Sequence, residues 1–240
     1  MNPGFLSDLL WPRLCEACDG PVDRPDRMIC SHCLMRLPVI GQTGCCRICG
    51  RAIAGQREEF LCDDCRGRHA PAFDRACSAL EFDGTARRMI LDFKFNRHIW
   101  TVPDFVDLLE AAAMARFDIP AVDAVLPVPA TFLRRLVRGY NQCDFLAEGL
   151  AKRIGRRFEP SALRRRNSPL RQGGLNEEER RENIVGTFKA VRPELLRGRT
   201  LLVVDDIMTA GSTLSECAKT LKAAGADRVW CVTLARSIRT

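Results

Sequence analysis

The sequence predicts an α/β protein, a parallel sheet flanked by helices, with a small cysteine-rich domain in front of it. Three observations point there. Strand-like and helix-like apolar runs alternate from residue 76 to the end. Four Cys-x-x-Cys pairs crowd into the first 65 residues. One fully apolar run, near residue 200, leads into two carboxylates and a loop of small residues. Alternation of this kind builds a parallel, doubly wound sheet, and such sheets bind ligands at the carboxyl ends of their strands.

The elements follow in order. Residues 76–82 read as a strand, with Asp83 and Gly84 as its turn. Residues 86–95 and 105–117 carry helical periodicity, and 121–128 form a short apolar strand closed by Pro127 and Pro129. Residues 141–154 are helical, with Phe145, Leu146, Leu150 and Ile154 on one face. Asn176 with Glu179 three residues on reads as a helix N-cap. A buried strand over 199–204, a helix over 212–224 stopped by Gly225, and a strand over 228–234 complete the series. The turn at 66–71 divides a cysteine-rich domain, 1–70, from the α/β domain, 71–240.

The pairs are Cys15/Cys18, Cys30/Cys33, Cys46/Cys49 and Cys62/Cys65. Two intervening residues let one knuckle present both sulfurs to a metal, and two knuckles complete a tetrahedral four-thiolate zinc site. Eleven residues separate Cys18 from Cys30 and twelve separate Cys49 from Cys62, a near-repeat that suggests tandem ribbons and two structural zinc ions. Crossed pairing of the knuckles stays open, as does a swap of Cys45 for Cys46. Disulfides require an oxidising compartment, and an iron–sulfur cluster uses four thiolates as well. A four-thiolate zinc has no open position for catalysis, and it supplies folding energy to a segment short of apolar mass. His32 and His69 are read as bystanders, and Cys77, Cys143, Cys217 and Cys231 as small core residues.

Net charge is +7, and it is concentrated: residues 134–171 hold eleven Lys and Arg against three Asp and Glu, so the rest is close to neutral. That suits an anionic partner such as polyphosphate, nucleotide or nucleic acid. No run of about eighteen apolar residues is present, so no membrane helix is expected. The first twelve residues lack the basic start of a signal peptide, and a cytoplasmic place is the expectation. Nothing in the sequence sets the oligomeric state.

Residues 201–213 hold the most specific chemistry. Leu201 to Val204 form a strand apolar on both faces, and Asp205 and Asp206 stand at its carboxyl end. Thr209, Ala210, Gly211, Ser212 and Thr213 then open a helix. Successive backbone N–H groups at a helix N-terminus suit a phosphate, which Gly211 lets approach closely and the three hydroxyls bond further. The carboxylates repel phosphate, so they serve something beside it. Two vicinal ribose hydroxyls fit, and the implied ligand is a ribose 5-phosphate. No Lys follows the Gly as in a Walker A loop, and no Gly-x-Gly-x-x-Gly is present.

This string resembles the phosphoribosyl pyrophosphate (PRPP) signature of type I phosphoribosyltransferases. With the cysteine pairs, Phe93-Lys94-Phe95, Pro127-Val128-Pro129, Arg134 and Arg135, the run 138–142 and the segment 163–188, the whole chain resembles the ComF/GntX family. Members are broadly described as predicted amidophosphoribosyltransferases. The resemblance implies a type I phosphoribosyltransferase-like domain behind a double zinc ribbon. It also implies Mg²⁺ bound with PRPP near Asp205 and Asp206. Arg138 and Asn141 are then candidates to face the pyrophosphate, with Lys94 beside them. Residues 164–174 resemble the loop that closes over the site, with Arg164 and Gln172 as contacts.

Two functions follow. One is a Mg²⁺-dependent phosphoribosyltransferase that moves ribose 5-phosphate from PRPP to a nitrogen acceptor the sequence does not identify. The early cysteines read as metal ligands, so none is free to serve as a glutamine amidotransferase nucleophile. The other is a non-catalytic or regulatory protein of the same fold, acting in DNA uptake through single-stranded DNA or a protein of the competence machinery.

Overall fold

The computed structural model describes residues 13–41, 44–52, 60–67, 70–166 and 184–237. Its strands are β1 (Arg75–Glu81), β2 (Ala124–Pro127), β3 (Arg157–Phe158), β4 (Leu163–Arg165), β5 (Phe188–Ala190), β6 (Thr200–Met208) and β7 (Arg228–Arg236). Five of them form one parallel sheet in the order β1-β7-β6-β2-β3, while β4 and β5 pair antiparallel by themselves. The helices are α1 (Ser31–Leu34), α2 (Asp63–Arg66), α3 (Gly84–Phe95), α4 (Val102–Arg116), α5 (Phe132–Arg138), α6 (Gln142–Arg153) and α7 (Ser212–Ala223). Among the described residues, no helix is long and apolar enough to cross a membrane.

Each long helix buries the stripe its sequence provides. Ala86, Met89, Ile90 and Phe93 are the buried side of α3, and Leu214, Cys217, Ala218 and Leu221 that of α7. The two-residue period of the strands sorts their side chains between two cores. Leu202, Val204, Trp230, Val232 and Leu234 meet α3, α4 and α6. Leu201, Val203, Val229 and Cys231 meet α7 on the other face. Phe117 stacks on Trp230 at 5.2 Å.

The cysteine-rich segment joins both layers. Cys15 and Cys30 belong to the core on the α4 side, whereas Cys46, Cys49, Cys62 and Cys65 belong to the core on the α7 side. Residues 38–40, after the first group, and 48–50, within the second, lie along the outer edge of β1. Ile40 N–H donates to the Ala79 carbonyl at 2.9 Å, Glu81 N–H to Pro38 at 2.8 Å, and Ala76 N–H to Ile48 at 2.6 Å. Backbone groups that an edge strand leaves unpaired are thereby satisfied. Contact is closest at Gly50, where φ is +69° and an added Cβ would lie 2.5 Å from the Ala76 carbonyl oxygen. Gly50→Ala should therefore cost about 2 kcal/mol or more, from left-handed strain and steric overlap together. Urea unfolding checks this, and an unchanged midpoint would contradict it.

The expected elements at 76–82, 86–95, 105–117, 141–154, 212–224 and 228–234 are present within a few residues. The strand over 121–128 is shorter, because a 3-10 turn containing Pro120 occupies Ile119–Ala121. The strand expected to end at Val204 runs on to Met208, because β7 supplies partners that far, Asp205 facing Thr233 and Met208 facing Arg236. The expected helix cap at Asn176 and Glu179 lies outside the described residues.

Candidate active site and metal centres

From β2 the chain goes outward to β3, and from β6 it goes the other way to β7. The carboxyl ends of β2 and β6 therefore flank the topological switch point, where open α/β sheets bind ligands. Pro127 ends β2 opposite Val204, and the next two residues of β6 are Asp205 and Asp206.

The carboxylates are held from several sides. Lys94, near the end of α3, places Nζ 2.9 Å from Asp206 Oδ1. The Cys143 thiol, in the first turn of α6, donates to Asp205 Oδ1 at 3.3 Å, and Asp206 N–H donates to the same oxygen at 2.9 Å. Burial, and then the charge of Asp206, push the Asp205 carboxyl up from its ordinary 3.8 to about 7. The folded protein thus favours neutral Asp205, and this carboxylate costs stability as pH rises through that window. A bound cation would relieve the cost.

Beyond Met208 the chain turns through Thr209 and Ala210 into α7. Gly211 caps that helix with φ +79°, and among the described residues no side chain caps its first N–H groups. Those donors, which lack intrahelical acceptors, are open to an anion. Thr209 is exposed, and Ser212 and Thr213 are half-buried beside them. A Cβ on Gly211 would lie 2.8 Å from Met208 Cε and 3.6 Å from the Phe73 ring.

The run 138–142 acts on the end of α3. Tyr140 Oη donates to the Phe93 carbonyl at 3.2 Å and Gln142 Nε2 to the Lys94 carbonyl at 3.0 Å, satisfying acceptors that a helix C-terminus leaves open. Arg138 lies over the Phe95 ring, 4.8 Å from its centroid. Asn141, expected to face pyrophosphate, is instead buried, its amide donating to the Val128 carbonyl at 3.1 Å and to Asp144 at 2.7 Å. It joins the end of β2 to α6. Lys94, expected at the pyrophosphate, stands on Asp206. Arg164 is exposed in β4, paired in register with Lys189 of β5, and Gln172 lies outside the described residues. The structure therefore brings together Lys94, Asp205, Asp206 and the loop 209–213. It adds Cys143, which sequence reasoning had assigned to the core. The thiol is buried as expected, and no sequence signal marked its contact with Asp205.

The eight paired cysteines form two groups, Cys15, Cys18, Cys30 and Cys33, and Cys46, Cys49, Cys62 and Cys65, with the sulfurs of each group within 4.8 Å of one another. Cys45 stays outside both, and neither group is crossed. Zn–S bonds of about 2.3 Å in a tetrahedron set sulfurs about 3.8 Å apart. Cys18 and Cys30 stand at 3.9 Å, and Cys49 and Cys62 at 3.6 Å. Backbone N–H groups of Cys30 and Cys62 point at the sulfurs of Cys15 and Cys46. Burial, with the neighbouring sulfurs, pushes Cys33 up to about 12 and Cys62 up to about 11, so the groups resist full ionisation until a cation joins them. Both groups fit structural zinc.

Comparison with known proteins agrees. Residues 6–66 match the double zinc ribbon domain, and residues 146–240 match the phosphoribosyl transferase domain. Competence protein F of Haemophilus influenzae is 28% identical over 229 residues, covering 93% of this chain and 96% of that protein. DNA utilization protein YhgH of Escherichia coli is 27% identical over 220 residues, covering 83% and 94%. A solved structure described as the allosteric regulatory enzyme of purine biosynthesis is 20% identical with a TM-score of 0.38, over 55% of this chain. The chain spans 26% of that protein, and a likeness at this level adds nothing to the argument. With its two four-cysteine groups and its parallel sheet, the chain carries a phosphoribosyl transferase-like domain behind a double zinc ribbon, and it is similar over most of its length to Competence protein F and YhgH.

Proposed function

We propose that the chain binds PRPP with Mg²⁺ and transfers its ribose 5-phosphate to a nitrogen nucleophile, releasing pyrophosphate. One observation carries this reading: two adjacent carboxylates and an uncapped helix N-terminus sit together at the switch point of the sheet. In it, residues 209–213 bind the 5-phosphate, and Asp205 and Asp206 accept from the ribose 2- and 3-hydroxyls. Mg²⁺ would be held through these carboxylates and water, and would neutralise the leaving pyrophosphate. Lys94, beside Asp206, is assigned to the pyrophosphate, and Arg138 and Arg164 are assigned as its further cationic contacts. Asp205 also stabilises positive charge developing at C1. The same proposal takes residues 71–240 as the catalytic domain and a reducing, cytoplasmic setting for the thiolates. A pyrophosphate-release assay over a panel of bases and amines tests it. At least one acceptor should raise release well above the rate with water, and failure of the whole panel would remove turnover from the reading.

The names of the two relatives favour a second reading, a role in DNA uptake or utilisation without turnover. The basic region 134–171 would then meet single-stranded DNA. DNA binding that weakens steeply with salt, and does so with or without PRPP, would support it over catalysis.

A further inference from the structure

Arg236 ends β7 and is buried, with 6% of its surface exposed. Its Nη1 donates to the Cys49 carbonyl at 2.6 Å and lies 3.7 Å from Met208 Sδ, and its Nη2 lies 3.7 Å from Cys49 Sγ. Among the described residues no carboxylate pairs with it. A buried guanidinium needs an anion, since an isolated charge is costly to remove from water. Four thiolates around one divalent zinc carry a net charge of about −2, and this one is the anion Arg236 has. Arg116 joins the same centre, donating to the Cys46 carbonyl at 2.9 Å.

The other side of Arg236 reaches the candidate phosphate loop. The Met208 side chain it touches lies directly under Gly211, as does Phe73. Ala72 N–H donates to Ser215 Oγ in the first turn of α7 at 2.9 Å. Residues 72 and 73 follow closely on the second cysteine group. The first group is tied elsewhere. Arg24 meets Asp104 at 2.7 Å, Arg27 meets Asp107 at 2.7 Å, and Arg88 donates to the Ala17 carbonyl, all on α3 and α4.

We infer that Arg236 is a positioning residue that couples the second four-cysteine centre to the phosphate loop. The metal-bound thiolates hold the guanidinium, the guanidinium holds Met208, and Met208 with Phe73 sets the height of the Gly211 backbone. The second zinc is thus part of the support of the phosphate site, while the first supports the wall that carries Lys94. This rests on the reading that residues 209–213 bind a phosphate.

The test uses full-length Arg236→Met, which keeps bulk and loses charge, with Arg236→Lys and Met208→Ala beside it. Ribose 5-phosphate and, separately, pyrophosphate with Mg²⁺ are titrated by calorimetry, and zinc content and melting are measured on each protein. Arg236→Met should weaken ribose 5-phosphate about tenfold, as expected when a contact surface shifts by a fraction of an ångström. Pyrophosphate binding should be unchanged, and Arg236→Lys should recover part of the loss. Should Arg236→Met lose zinc or fail to fold, Met208→Ala leaves the centre intact and must show the same selective loss. Unchanged affinity in the folded variants, or equal losses for both ligands, would overturn the inference. A wild-type protein that binds no ribose 5-phosphate would sink the loop assignment itself, and this inference with it.

Discussion

Asp205→Asn and Asp206→Asn, made together, should leave no PRPP–Mg²⁺ binding measurable by calorimetry. Each carboxylate is assigned charge-assisted bonds to a hydroxyl and a share of the cation. At roughly 1.5–3 kcal/mol for each such bond, losing two costs about a hundredfold to ten-thousandfold in affinity. The fold should survive. Burial and Asp206 already oppose ionisation of Asp205, so neutral amides remove an unfavourable charge pair instead of a stabilising one. Lys94 loses its partner but, being only partly buried, can turn toward water. A melting temperature near that of wild type with binding gone is the expected pair of results. Unchanged binding in the double variant would end the site assignment.

Cys65→Ala should have the largest effect on stability. Its sulfur belongs to the group that lies in the core against α7, and it is nearly fully buried. Zinc sites of this kind contribute on the order of 10 kcal/mol to folding, comparable with the whole stability of a domain. Zinc should fall from two per chain to one, and the loss should unfold the α7 side of the sheet together with the ribbon. Cys18→Ala removes an exposed ligand from the first group, which packs against α3 and α4, and should be milder. Metal analysis and melting curves on both proteins decide this. One zinc lost with melting unchanged in Cys65→Ala would show that the ribbon folds independently of the sheet.

What the sequence showed depended on how local the cause was. The long strands and helices were legible because their apolar periods run for two turns or more, as in α3 and α7. Thiolate pairing was legible because a knuckle is set by two intervening residues. β3, β4 and β5, of two or three residues each, carry no alternation long enough to read. Asn141 was a candidate through the family resemblance, and only the tertiary fold shows its amide joining the Val128 carbonyl to Asp144. Cys143 fits an apolar helix face by spacing, so its approach to Asp205 depended on how α6 leans across β6. The place of Arg236 was equally hidden, since its partner Cys49 lies far away in sequence.

Residues 38–40 and 48–50 lying against β1 have a consequence for how copies of this protein behave together. Where the outer side of β1 is already occupied, that edge offers no ladder for another chain to extend and is a poor template for self-association. The occupant here leads from the first metal-binding group into the second, whose Cys49 it includes. Metal depletion should loosen this arm and leave the outer edge of β1 open to a neighbouring chain.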